Sequence, residues 1–273
     1  MLPSTTCDPP HAVSELLALL AAQEQAQREL DTETVHRIRV AIKQVRAWLK
    51  LCHAVTGKTE AGERLAVKLR ALSGELAARR DRDVAIQTLH KLVRKYPGKK
   101  AQHAAEIITR VLMEAPAEEA ERISAAMAYT AMREELQAFS RQIISPEDRD
   151  RVIARRFRKV CRRGDAALAS EDCGELHAWR KVVKTLGYQL VMAGTRNANT
   201  KKLVERLMRL GSKLGDIHDL CFLQGMIDAT AARQTGNMDM RPLSKRIARE
   251  RKRLLQTVRT VFRHVRKCSL PGV

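Results

Sequence analysis

The sequence predicts an all-α fold. Apolar residues recur at helical spacing almost throughout, and no segment sustains the period-two alternation of a half-buried strand. Ala, Leu, Val, Arg and Lys dominate, most of them straight-chain helix formers, while aromatic residues make up only 3%. Pro and Gly fall at intervals that end helices rather than interrupt them. With 273 residues, 44% apolar and 30% charged, the chain can build a sizeable core in one or two domains and is too apolar for disorder.

The elements follow in order. Asp31 precedes a helix running to about His53 and closed by Gly57. A second runs from about Glu60 to Ala78. Asp81 or Asp83 opens a third that ends before Pro97. Pro116 suits the first turn of a long helix ending near Ile144, and Ser145-Pro146 is a good N-cap followed by Pro at the first helical position. Later helices are expected over 173–194, 199–214, 216–234 and 241–267.

The sequence also repeats itself. Val35-His36-Arg37-Ile38-Arg39 with Lys43 lines up with Leu176-His177-Ala178-Trp179-Arg180 with Lys184, at an offset of 141. Leu76 to Asp81 resembles Leu214 to Asp219, at an offset of 138. Two matched motifs in the same order argue for an internal duplication. The simplest architecture is two bundles of about four helices, 11–145 and 146–267, related by a pseudo-twofold axis and joined at Ser145-Pro146. Residues 1–10 and 268–273 read as a flexible N-terminus and a tail.

Charge narrows the function. Lys plus Arg number 51 against 31 Asp plus Glu, a net +20, and a bound polyanion would relieve that self-repulsion. Six cysteines, none in a C-x-x-C pair, read as reduced thiols of a cytoplasmic protein. The apolar run from Val13 to Ala22 is broken by Glu15 and makes neither a signal peptide nor a membrane span.

Two parallel stripes carry the candidate chemistry. Val35, Ile38, Ile42, Val45 and Leu49 form an apolar seam. His36, Arg39, Lys43, Arg46 and Lys50 follow one residue later, turned by about 100° from it, and His36 to Arg46 spans roughly 15 Å. The second half repeats the pattern with Leu176, Trp179, Val183, Leu186 and Leu190 beside His177, Arg180 and Lys184, with Lys181 adjacent. Gly187 stands where the first half has Arg46. A charged stripe is usually a solvated face, but such faces intersperse acids, and none occurs from Thr34 to Thr59 or from Leu176 to Val204. Like charges one turn apart cost a few tenths of a kcal/mol per pair, so a duplicated acid-free row points to an anionic partner. Further basic runs at 155–163 and 241–267 either join that site or coat the surface.

At these residues the sequence resembles the conserved histidine α-helical domain, CHAD. The matching pieces are His36, Arg39, Lys43 and Arg46; Arg80, Asp81, Asp83 and Val84; His177, Arg180, Lys181 and Lys184; and Leu214 to Leu220, from about residue 11 to 267 in all. The resemblance implies two pseudo-symmetric four-helix bundles with a basic channel between them, inorganic polyphosphate as partner, and association with polyphosphate granules. It places polyphosphate binding on His36, Arg39, Lys43, Arg46, His177, Arg180, Lys181 and Lys184. Arg37, Lys50, Arg79, Arg80 and His218 stand beside these as further candidates. The E-x-E-x-K motif of the triphosphate-tunnel domain often fused to this family is not found. Asp81 and Asp219 read as helix caps or partners of cations rather than catalytic acids, so no catalytic residue, metal or cofactor is expected.

Two other readings compete. His177, His218-Asp219 and Asp228 or Asp239 mimic the order of an HD-type metal-dependent phosphohydrolase, but surrounding Arg and Lys oppose a divalent ion. Non-specific nucleic-acid binding would use the same bases. Single-strand readers, however, need aromatic platforms, and this chain has three Tyr, four Phe and two Trp.

Overall fold

The structure is a computed structural model describing residues 11–26, 31–114, 125–140, 144–194, 198–233 and 239–268. The described residues form nine helices and no strand: α1 His11–Ala26, α2 Thr32–Thr56, α3 Glu60–Lys95, α4 Lys99–Glu114, α5 Ala125–Ser140, α6 Pro146–Ser170, α7 Cys173–Met192, α8 Ala198–Arg233 and α9 Arg241–Arg266. The all-α expectation holds. None of the helices, as far as described, is long and apolar enough to cross a membrane.

Local chemistry sets several boundaries. Asp31, Thr59, Ser145 and Asp172 each accept a hydrogen bond from the backbone N–H three residues on, satisfying a donor the helix start leaves open. Gly57 closes α2 at φ 84°, where a side chain would be strained.

Three boundaries differ from expectation. The breaks expected between 78 and 83 and between 214 and 216 are absent, and α3 and α8 each run unbroken for 36 residues. Asp81, Asp83 and Asp219 therefore lie inside helices rather than at helix starts. An interior Asp costs only a few tenths of a kcal/mol, less than the burial of the leucines around it contributes. Of the long helix expected from Pro116 to near Ile144, the stretch 125–140 is described as α5, with Pro116 itself outside the described residues. The reading also placed no helix over α1 or α4.

Among the described residues the two long helices cover 60–95 and 198–233, and each contains one member of the motif pair that repeats at an offset of 138. Each follows its half's basic helix, α2 or α7. Buried side chains fall into two clusters. The first joins α1, α2, α5 and the front of α3 through Leu65, Leu69, Leu72 and Leu76. The second joins α6 to α9 with α4 and the rear of α3, through Ala85, Leu89 and Leu92. One helix thus feeds both cores. α7 lies at the centre, packing on α2, α6 and α8.

Cys173 and Cys221 are joined in a disulfide, which corrects the expectation of reduced thiols throughout and removes the support it gave to a cytoplasmic placement. They are 48 residues apart with no diagnostic spacing, and only the α7–α8 packing brings their Cα atoms to 6.3 Å, within bridging range. Cys52, Cys161 and Cys268 remain thiols, and Cys7 lies outside the described residues.

Candidate functional site

The apolar seams face the core as their spacing requires. Ile38, Ile42, Val45 and Leu49 on α2 are buried, as are Leu176, Trp179, Val183, Leu186 and Leu190 on α7. Each basic row therefore emerges along the flank of a buried seam.

On α2 the row divides by depth. His36 and Arg37 are exposed, and Arg37 lies 3.6 Å from Glu15 of α1. Arg39 is only 8% exposed, and its Nη1 donates to the backbone carbonyl of Leu76 on α3, so it braces α2 against α3. Lys43 and Arg46 are half-buried. Burial, followed by the charge of Arg70, pulls the Arg46 pKa down. Lys50 keeps contact with solvent yet is also shifted down, by desolvation first and then by Arg46, Arg156, Arg70 and Lys181. Desolvation leads both shifts, and the repulsion between cations that adds to it is the part an anion would relieve.

On α7 the row is packed against α8. The imidazoles of His177 and His218 stack with centroids 4.0 Å apart. Burial, then the charges of His218, Lys181 and Arg180, lower the His177 pKa to about 4, and its Nδ1 is buried without a hydrogen-bond partner. One turn on, Arg180 lies over Gly215, where a Cβ would come within 3.2 Å of its Nε. Next, Lys184 crosses Gly211, where a Cβ would meet its Cδ at 2.8 Å, and its Nζ sits 5.4 Å from the ring centroid of Tyr188. Desolvation and Arg180 hold the Lys184 pKa low. Gly187 ends the row where its face meets α8: a Cβ there would lie 3.2 Å from Met208 Cε, so a counterpart of Arg46 would have to displace that side chain.

Lys50 of the α2 row and Lys181, beside the α7 row, meet at a cleft of about 530 Å³ between α2, α6 and α7, which His36, Arg39, Lys43, Arg46, His177, Arg180 and Lys184 do not line. It is lined by Lys50, Arg155, Arg156, Lys159, Arg162, Lys181, Val182 and Thr185, six basic residues and no acidic one. Arg156 Nη2 donates to the Lys50 carbonyl at 2.6 Å, which fixes one guanidinium at the mouth. Burial and Arg155 lower its pKa.

The 155–163 run therefore shares a site with Lys50 and Lys181. The sequence named it a basic run without placing it, because a helix's neighbours are invisible to periodicity. The 241–267 run does not line this cleft. Its cations brace the fold: Arg246 donates to the carbonyls of Tyr96, Pro97 and Pro242, Arg259 pairs with Glu171 at 2.7 Å and Arg266 with Asp165 at 2.6 Å. Arg79 and Arg80 belong to α3, but their side chains, like that of Asp81, fall outside the described residues.

Two acids of the HD-type order have partners of their own. Asp228 accepts from Gln224 at 2.7 Å, and Asp239 pairs with Arg241 at 2.7 Å. Among the described residues no group of three or more His, Cys, Asp or Glu is arranged to hold a metal ion.

A family model for the CHAD domain matches residues 11–228. Comparison with curated proteins and with solved structures gives no significant match. The match covers most of the chain and ends within α8, short of the 267 at which the sequence resemblance was drawn, leaving α9 beyond it although α9 packs on α8 and fills the second core. This chain belongs to the CHAD-domain family.

Proposed function

We propose that the chain binds inorganic polyphosphate along a basic surface formed by the α2–α6–α7 cleft and the α7 row beside it. The observation that carries this reading is the cleft itself, with cations from three helices converging and no acid among them. Arg offers planar forks matched to phosphate oxygens and Lys adds point charges, so a dense phosphate chain suits the lining. In this reading the channel expected between two duplicated bundles is this cleft, with α2 and α7 as equivalent walls and α3 and α8 as the matched long helices behind them. The chain acts as a binding domain rather than an enzyme, and its place is on polyphosphate granules in the cytoplasm.

Thermal unfolding with long-chain polyphosphate, heparin and duplex DNA at matched charge tests the reading. A ligand that binds only the folded state raises the midpoint by mass action. Polyphosphate is expected to give the largest rise and to keep it at about 0.2 M salt, where diffuse surface binding is screened. Equal shifts from all three that vanish together with salt would leave only a non-specific basic surface, with nucleic acid an equal claimant.

A further inference from the structure

The α7 row is one side of a ladder. Its first rung is the Cys173–Cys221 disulfide, its second the stacked His177–His218 pair. Arg180 over Gly215 and Lys184 over Gly211 follow. The chain joins α7 to α8 at the opposite end, beyond Met192, so the disulfide closes the open end of this helical hairpin. Both cysteines are half-buried, within reach of a reductant.

We infer that the Cys173–Cys221 disulfide is a redox control on the adjacent anion site, the oxidised form binding the polyanion more tightly than the reduced form. The inference rests on the polyphosphate reading. An external dithiol supplies the chemistry: its thiolate attacks one sulfur, and the resulting mixed disulfide is resolved by its second thiol. Two electrons and two protons pass to the protein, leaving two cysteine thiols and the oxidised dithiol.

Two consequences act in the same direction. Without the covalent rung, α7 and α8 are held at this end by packing alone, and the His177, Arg180 and Lys184 geometry is less fixed, so ordering it costs binding. The new thiols also lie beside the row, Cys173 one turn from His177 and about two turns from Arg180, and Cys221 one turn from His218. Neighbouring cations favour the thiolate, which places negative charge beside a site for anions.

The test is polyphosphate titration of the full chain at one ionic strength, oxidised and after complete reduction by dithiothreitol verified by thiol counting. A parallel titration uses the Cys173→Ser/Cys221→Ser variant with and without reductant. Reduction is expected to weaken wild-type binding about two- to threefold, the scale of up to one unit charge acting over roughly 7 Å through a water-like dielectric. The double variant is expected to bind weakly whether or not reductant is present. Equal wild-type affinities in the two states would overturn the redox inference and leave the polyphosphate reading standing. No binding in either state would sink both. A double variant that still responded to reductant would also overturn the inference, since the response would then belong to another thiol.

Discussion

Gln189 on α7 donates its side-chain amide to the backbone carbonyl of Ala47 on α2 at 2.7 Å, across 142 residues of sequence and with no solvent exposure. This bond lies where the two basic helices cross and fixes how their rows are presented to one another. A buried polar bond is specific in position because each partner is costly to leave unsatisfied.

Gln189→Leu is therefore expected to lower stability by about 1–2 kcal/mol, read as a fall in the denaturant midpoint with an unchanged slope. A midpoint equal to wild type would show that the crossing is held by apolar packing alone.

Charge reversal in the cleft should separate site from surface. Lys50→Glu, Lys159→Glu and Lys181→Glu each place an acid among cations that repel one another, and each should weaken polyphosphate binding and reduce the salt slope by about one. Lys245→Glu, on the exposed side of α9 and away from the cleft, should do little by comparison. Arg39 is a poor choice for such a test, because its bond to the Leu76 carbonyl makes its loss a folding defect first. The measurement is affinity against ionic strength for each variant, alongside circular dichroism. Equal losses in the cleft and α9 variants would place binding on the net charge instead of the cleft.

The apolar seams, the basic rows and most helix starts were legible in the sequence because each is local: a period of 3.6, a run without acids, a cap residue. Continuity was not. Asp81 and Asp216 looked like starts, yet the long helices ran through them, since leucines on either side were being buried in cores that only the tertiary fold defines. Partnership was equally hidden. Nothing in the spacing of Cys173 and Cys221 predicts their bond, and nothing in the 155–163 run separates it from the 241–267 run. The first shares a cleft with Lys50 and Lys181, while the second supplies Arg246, Arg259 and Arg266 to carbonyls and carboxylates.

The pH response should follow His177. Burial and the charges of His218, Lys181 and Arg180 hold its folded pKa at about 4, below its ordinary 6.5. As pH falls from 6.5 towards 4, the unfolded chain takes up a proton that the folded chain refuses, so the ligand-free protein loses stability in that window. Bound phosphate reverses the local field and favours the imidazolium, so polyphosphate affinity should rise with acidification between about pH 7 and 5. His177→Gln should flatten both trends. An unchanged pH profile in that variant would assign the response to other groups.

Glu250 predicts a loss in the same direction, in a lower pH window. Burial alone would raise its pKa, but hydrogen bonds from Arg253, Lys95 and the Tyr96 hydroxyl outweigh it and hold the carboxyl at about 2. The carboxylate ties α9 to the end of α3, with Lys95 and Arg253 both at 2.6 Å. Its contribution is present above about 4.5 and is lost as pH falls through about 2. Glu250→Gln should cost about 1–2 kcal/mol at neutral pH, discounted because both cations are partly solvated. The gap between variant and wild type should close in acid. A gap that persists below the folded pKa would mean the side chain matters for packing rather than charge.

Two glycines offer a contrast in sign. A methyl at Gly164 on α6 would lie 2.5 Å from Phe262 Cζ and 2.7 Å from Trp179 Cζ2. Neither ring can move cheaply. They meet edge-on with centroids 4.9 Å apart, and the Trp179 indole is tied by its Nε1 to the Val160 carbonyl at 3.0 Å. Overpacking there costs about 1–3 kcal/mol and outweighs the up to ~1 kcal/mol that Ala gains over Gly in a helix. A methyl at Gly211 would instead meet the Lys184 stem at 2.8 Å, a flexible chain that can swing away. Gly164→Ala should therefore lower the unfolding midpoint, while Gly211→Ala should hold or raise it and weaken polyphosphate binding by displacing Lys184. If both variants lost stability alike, the Lys184 stem would be as rigidly held as the aromatic pair, and the α7 row would be a fixed scaffold rather than an adjustable one.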